Sequence, residues 1–227
     1  MNMEVAHSMR AGILRKIKDP VSALTHYAGA AAALPGMVVL LGLSPGMAPA
    51  GKAALLVYGA SLFLLFFSSG LYHTLGQPPR AAQLLRKLDH ACIYILIAGS
   101  YTPFCVIAFE GPWRWPFLAV IWSLAAAGVV AKLFYINAPR WITAGAYVLM
   151  GWLSVLAVRE ILTSLPPASV AWLVTGGLAY TVGAVVYVTK RLDFLPGRFG
   201  FHEVWHLFVL AGAAAHFVSI LLLIQAG

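Results

Sequence analysis

His202 and His206 stand four residues apart in Phe201-His202-Glu203-Val204-Trp205-His206. Residues at i and i+4 lie one above the other on a single helix face, close enough for two imidazoles to hold one metal ion. His73 and Asp89 sit at the ends of other apolar stretches, and Ser69 lies one turn from His73. Three imidazoles suit Zn²⁺ and leave a fourth position for water, whose pKa the metal lowers toward about 7. Asp89 could then accept a proton from that water, and Ser69 could hydrogen-bond a reacting carbonyl oxygen. The candidate metal ligands are therefore His73, His202 and His206, and the candidate catalytic residues are Asp89 and Ser69.

What must position these side chains is a membrane bundle. Hydrophobic residues make up 61% of the 227 and charged residues only 10%, against roughly half and a quarter in a soluble domain. Seven stretches can each cross a bilayer, at roughly 21–43, 52–75, 88–109, 116–135, 142–162, 170–188 and 202–225. Residues 1–20 form a basic segment, and 21–227 a single all-α domain of seven transmembrane helices. Ala48-Pro49-Ala50 imitates a signal-peptide cleavage site, but the preceding apolar run is too long and a second span follows at once, so the first span is read as retained. Cys92 and Cys105 fall about 20 Å apart along one helix, which excludes a disulfide between them there.

Lysine and arginine set the orientation. With the N-terminus inside, twelve of the 15 fall on inner segments, and only Lys52, Arg114 and Arg159 fall outside. This predicts a cytoplasmic N-terminus and an external C-terminus. The net charge of +8 is then an interfacial property and implies no nucleic acid. The end of span two and the starts of spans three and seven share one side, so His73, Asp89, His202 and His206 can converge at one depth. An ionisable group in the bilayer costs several kcal/mol unless paired, hydrated or metal-bound, which favours a functional cluster. As the start of a helix, Asp89 would also sit where the helix dipole favours its ionised form.

The remaining histidines read as bystanders. His90 points about 100° from Asp89 around the helix and reads as packing. His26 reads as a polar anchor near the inner end of span one, and His7 as part of the exposed tail. His216 lies about 15 Å deeper than His206 and reads as a buried hydrogen-bonding group. His202-Glu203-x-x-His206 also fits the H-E-x-x-H pattern of zinc proteases, with Glu203 as base, but no suitable third ligand follows it. Gly176-Gly177, Gly183 and the stretch 211–215 allow close helix approach. Pro35 and Pro103 are expected to bend spans one and three.

The chain resembles a bacterial member of the hemolysin III family, within the progestin and adipoQ receptor superfamily. The likeness rests on Asp19-Pro20-Val21-Ser22-Ala23-Leu24-Thr25-His26, Ser69-x-x-x-His73, Lys87-Leu88-Asp89-His90, Gly99-Ser100-Tyr101-Thr102-Pro103 and Phe201-His202-x-x-x-His206. It implies seven helices with the N-terminus inside, and a zinc ion on the cytoplasmic side held by His73, His202 and His206. It also implies that Asp89 lies near the zinc-bound water and that Ser69 is the family's serine. The wider superfamily resembles membrane hydrolases of the alkaline ceramidase type, so one expectation is a zinc-dependent lipid amide hydrolase of the bacterial inner membrane. Its partners would be membrane lipids, including a lipid substrate or free fatty acid within the bundle. The alternative is a non-enzymatic membrane-homeostasis sensor or transport-related protein with structural zinc. A cytolysin is physically unattractive, because the short loops suit a resident membrane protein.

Overall fold

The computed structural model describes residues 17–75, 78–195 and 199–226. His7, Arg10, Arg15 and Lys16 of the basic segment, Gly76-Gln77 of one connection and Arg198 of another lie outside the described residues. Seven helical stretches are long and apolar enough to cross a membrane: Pro20–Gly42, Pro49–Thr74, Pro79–Ala108, Gly111–Phe134, Arg140–Ser164, Pro167–Thr189 and Phe201–Ala226. Helix is the form these stretches must take, because hydrocarbon offers no partner for a free N–H or C=O. Prolines open spans one, two, three and six, where the missing N–H would have had no helical partner.

Spans one, two and three pack in sequence, six packs on seven, and span one closes onto seven. Spans two and three are the most enclosed, each 61% buried along its apolar window, against 28% for spans one, four, five and six. The outer spans therefore carry the lipid-facing surface, with Val38, Leu149 and Leu162 among the side chains they leave exposed. Leu55, Tyr58, Cys105, Ile121 and Ile220 lie in the central core. Both cysteines are buried and free.

Two local features depart from the sequence reading. Span three begins at Pro79, not near residue 88, so Asp89 lies ten residues into the helix. That is about 15 Å from the N-terminus, beyond the first turn in which a helix dipole acts strongly. The helix dipole therefore does little for Asp89. Span five is interrupted: helix Arg140–Trp152 passes through a 3₁₀ segment, Leu153–Ala157, into helix Val158–Ser164. Tyr101 of span three reaches this break. Its hydroxyl lies 3.0 Å from the Met150 carbonyl and 2.6 Å from the Gly151 carbonyl, and it accepts from the Ser154 N–H at 2.8 Å.

Pro103 does mark a change in span three. The chain continues from it as a π-helical turn, Phe104–Ala108, in which Phe109 N–H bonds the Phe104 carbonyl at 3.1 Å. Proline has no N–H to offer the preceding turn, and a widened turn is one way to absorb that loss. Pro35 lies inside an unbroken helix.

Close packing of spans six and seven depends on Gly176. A Cβ there would press on the His216 imidazole and stand 3.0 Å from the Gly212 carbonyl oxygen. Gly176→Ala should destabilise the bundle by about 1–3 kcal/mol, as for overpacked interiors, and lower its thermal midpoint in detergent; Gly145→Ala, which meets nothing within 4 Å, is the control. An odd number of crossings also predicts opposite sides for the two termini. Reporter fusions should show this, with the N-terminus cytoplasmic by the distribution of Lys and Arg.

Candidate metal centre

His73 occupies the last turn of span two, and His202 and His206 the first two turns of span seven. These helix ends meet, and one ligand atom from each imidazole lies within 4.8 Å of the other two. His73 Nε2 and His202 Nε2 are 3.3 Å apart. His206 lies with its ring centroid 4.8 Å from that of His73 and 4.7 Å from that of His202. A tetrahedral zinc site with Zn–N distances of about 2.0–2.1 Å has N···N edges of about 3.3 Å. The His73–His202 separation matches such an edge, and the three-nitrogen donor set suits zinc. His206 Nδ1 is buried without a hydrogen-bond partner. A buried group of three histidines that could hold a metal ion is thus assembled by side chains up to 133 residues apart in sequence.

Asp19 supplies what the sequence reading of the site missed. Its carboxylate accepts from His73 Nδ1 at 2.9 Å, and its backbone N–H donates to the His73 carbonyl at 3.0 Å. This fixes the tautomer, with the proton on Nδ1 and the Nε2 lone pair turned toward His202. Lys18 lies 3.3 Å from the same carboxylate and 3.9 Å from the Tyr72 ring centroid. The hydrogen bond from His73, aided by the Lys18 charge, holds the Asp19 carboxyl below its usual range despite partial burial. The sequence signal was its position: Asp19 precedes the first span on the histidine side of the membrane.

His26 is not an interfacial anchor. It is buried and stacks on His206 with ring centroids 3.7 Å apart and planes 13° apart, against the edge of Phe66. Only the fold could show this, because span one must first close onto span seven. Glu203 is placed for structure. One carboxylate oxygen accepts from Ser22 Oγ at 2.9 Å and the other from the Gly200 N–H at 2.8 Å. The second bond closes one half of a capping box at the start of span seven. With both oxygens engaged, Glu203 is poorly placed to act as the base of an H-E-x-x-H protease.

Ser69 is buried, and its hydroxyl faces the Asp89 carboxyl group. Both line an apolar cavity of about 310 Å³ that runs from His202 and His206 past Ile97 and Val209 toward Phe109 and Leu162. Asp89 is not among the three mutually close metal-donor residues. It also lines a second, polar chamber of about 310 Å³ on the other side of the histidines. Asp89, His90, Thr143, Tyr187 and His202 border both chambers. The Tyr147 hydroxyl lies 3.4 Å from His90 Nδ1 and donates to the His90 carbonyl at 3.0 Å. His216 lines the far wall of the apolar cavity, and neither of its nitrogens has a hydrogen-bond partner among the described residues. The expected hydrogen-bonding role for it is not seen.

Two outcomes test this geometry. Asp19→Asn should lower zinc affinity about 10–100-fold, the range for loss of a carboxylate behind a metal-binding imidazole, as measured by chelator competition. His206→Ala should prevent stoichiometric zinc binding in metal analysis of the purified protein, whereas His90→Ala should not.

The comparison with known proteins agrees with the family resemblance. The family Haemolysin-III related matches residues 14–217. The chain is similar to Hemolysin-3 of Bacillus cereus, 38% identical over 210 residues that cover 90% of this chain and 91% of the relative. It is 34% identical to the Hemolysin-3 homolog of Bacillus subtilis (strain 168) over 207 residues, 90% of this chain and 94% of that protein. It also resembles the monocyte to macrophage differentiation factor of Homo sapiens, at 29% over 168 residues covering 72% and 67% of the two chains. With a family match over most of its length and bacterial relatives above 30% identity, the chain belongs to the haemolysin-III-related family.

Proposed function

We propose that this protein is a zinc-dependent hydrolase of lipid amide bonds, working at the cytoplasmic leaflet of the bacterial inner membrane. The observation that carries the reading is the junction of two unlike chambers. An apolar cavity and a polar chamber meet at Asp89 and His202, beside His73 and His206. An acyl chain fits the first chamber, and the polar half of an amphiphile fits the second. The scissile bond then falls between them.

His73, His202 and His206 would hold the zinc, which when bound supplies Lewis acidity to polarise a carbonyl and acidify water. Asp19 holds His73 in the ligating tautomer. Asp89 takes the proton from the attacking water and returns it to the leaving nitrogen, so a free amine departs. Ser69 donates a hydrogen bond to the developing oxyanion. The apolar walls keep bulk water from the acyl half.

Exposed Val155, Val158 and Leu162 of span five and Val174 of span six line the apolar cavity. Their exposure supports entry of the chain sideways from the bilayer. The alternative, a sensor with structural zinc, calls for a protein group closing the tetrahedron. Among the described residues Asp89 stands outside the close donor set, which favours the hydrolase.

The test uses ceramide-like and acyl-amide substrates with purified protein in nanodiscs, following products by mass spectrometry. Asp89→Asn should leave zinc bound and abolish turnover, and Ser69→Ala should lower turnover by about 10²-fold. Zinc-dependent turnover unchanged in Asp89→Asn would refute its role. No turnover on any lipid amide or ester, with zinc fully bound, would favour the sensor.

A further inference from the structure

Three cations stand around the polar chamber without a carboxylate partner. Arg140 opens span five, its guanidinium 5.3 Å from the Tyr187 ring centroid and 5.1 Å from that of Phe201. Arg86 of span three donates to Asn137 Oδ1 at 3.3 Å. Lys132, near the end of span four, is only 4% exposed, and its ammonium donates to Thr143 Oγ1 at 2.7 Å. Arg86, Arg140 and Thr143 line the chamber, and Lys132 stands behind Thr143. Among the described residues, no ion pair engages any of the three.

Two of the three carboxylates of the same chamber are already committed. Asp19 is held by His73 and Lys18. Glu203 is held by Ser22 and the Gly200 N–H. Asp89 stands at the junction, facing Ser69. Lys18, Arg86 and Arg140 balance these three carboxylates in number, and Lys132 behind Thr143 leaves one positive charge in excess. The N-termini of two long helices, beginning at Arg140 and Phe201, add partial positive charge there. A buried ammonium with one hydroxyl for company is costly to maintain, and an anion facing Thr143 would offset that cost.

We infer that the polar chamber binds the phosphate-bearing headgroup of an amphiphile whose acyl chain fills the apolar cavity. The inference deepens the lipid reading above and rests on it. A phosphate group matches two arginine forks better than a neutral or cationic headgroup does. A chamber of about 310 Å³ has the size of a small-ligand site. Free phosphate shares the chemistry and is the other source to be distinguished.

The experiment is calorimetric titration of the purified, zinc-loaded full chain in non-ionic detergent with three probes: oleoylglycerol phosphate, monooleoylglycerol and inorganic phosphate. The phosphate ester should bind about tenfold more tightly than its neutral counterpart, the scale of one hydrogen bond to a charged group. Arg140→Gln should remove most of that preference without changing the affinity for monooleoylglycerol, and Arg86→Gln should act in the same direction. Equal binding of the two lipids by the unmodified protein, or a preference that survives both substitutions, overturns the inference. Inorganic phosphate that binds as tightly as the ester and loses binding in Arg140→Gln assigns the site to the free ion and overturns the headgroup assignment. If neither lipid binds, the lipid reading itself fails, an outcome distinct from equal binding of both.

Discussion

An imidazole withdrawn from water needs a partner, and in this bundle three of them have chiefly one another. That constraint organises the histidine end of the protein. His73 and His202 bring their Nε2 atoms to 3.3 Å, closer than two neutral rings would choose without a shared proton or a shared cation. The arrangement holds because the other faces of the rings are fixed independently. His73 is held from behind by Asp19, and His206 is flanked by the His26 ring. Preorganisation of this kind would let a metal bind without first ordering its ligands.

The same contacts join the start of the chain to its end. Asp19 fastens the head of span one to the tail of span two through a side chain and a backbone bond. Ser22, one turn on, reaches Glu203 at the head of span seven. Three helix ends are thereby fixed beside the cluster by polar bonds, while apolar packing deeper in the bundle sets how the helices cross. Polar contacts in such a setting add specificity where hydrocarbon packing alone discriminates weakly between helix registers.

Much of this was legible in the sequence because hydrocarbon imposes simple rules. Apolar runs of sufficient length gave seven spans, and each observed helix overlaps its expected stretch. Counting ends gave the shared depth of His73, His202 and His206. The start of span three was not legible, because hydropathy reports the part of a helix in lipid and Arg80–Leu88 is too polar to register. The parts played by Asp19 and His26 were not legible for a different reason. Each acts across the fold, on His73 and His206, and no local spacing encodes such contacts. The doubt about Glu203 as a protease base came from the missing third ligand, but its structural role was not legible, since sequence alone does not show that Ser22 and Gly200 take both of its oxygens.

The break in span five has a consequence for local opening. A helix normally finds its hydrogen-bond partners within its own backbone, and its turns fray from the ends inward. Here a phenol from span three serves Met150, Gly151 and Ser154. The midpoint of span five is thereby tied to the position of span three. If Tyr101 withdraws, three backbone groups lose a partner together within the bilayer. Amide exchange at this midpoint would then report separation of two helices, not the breathing of one.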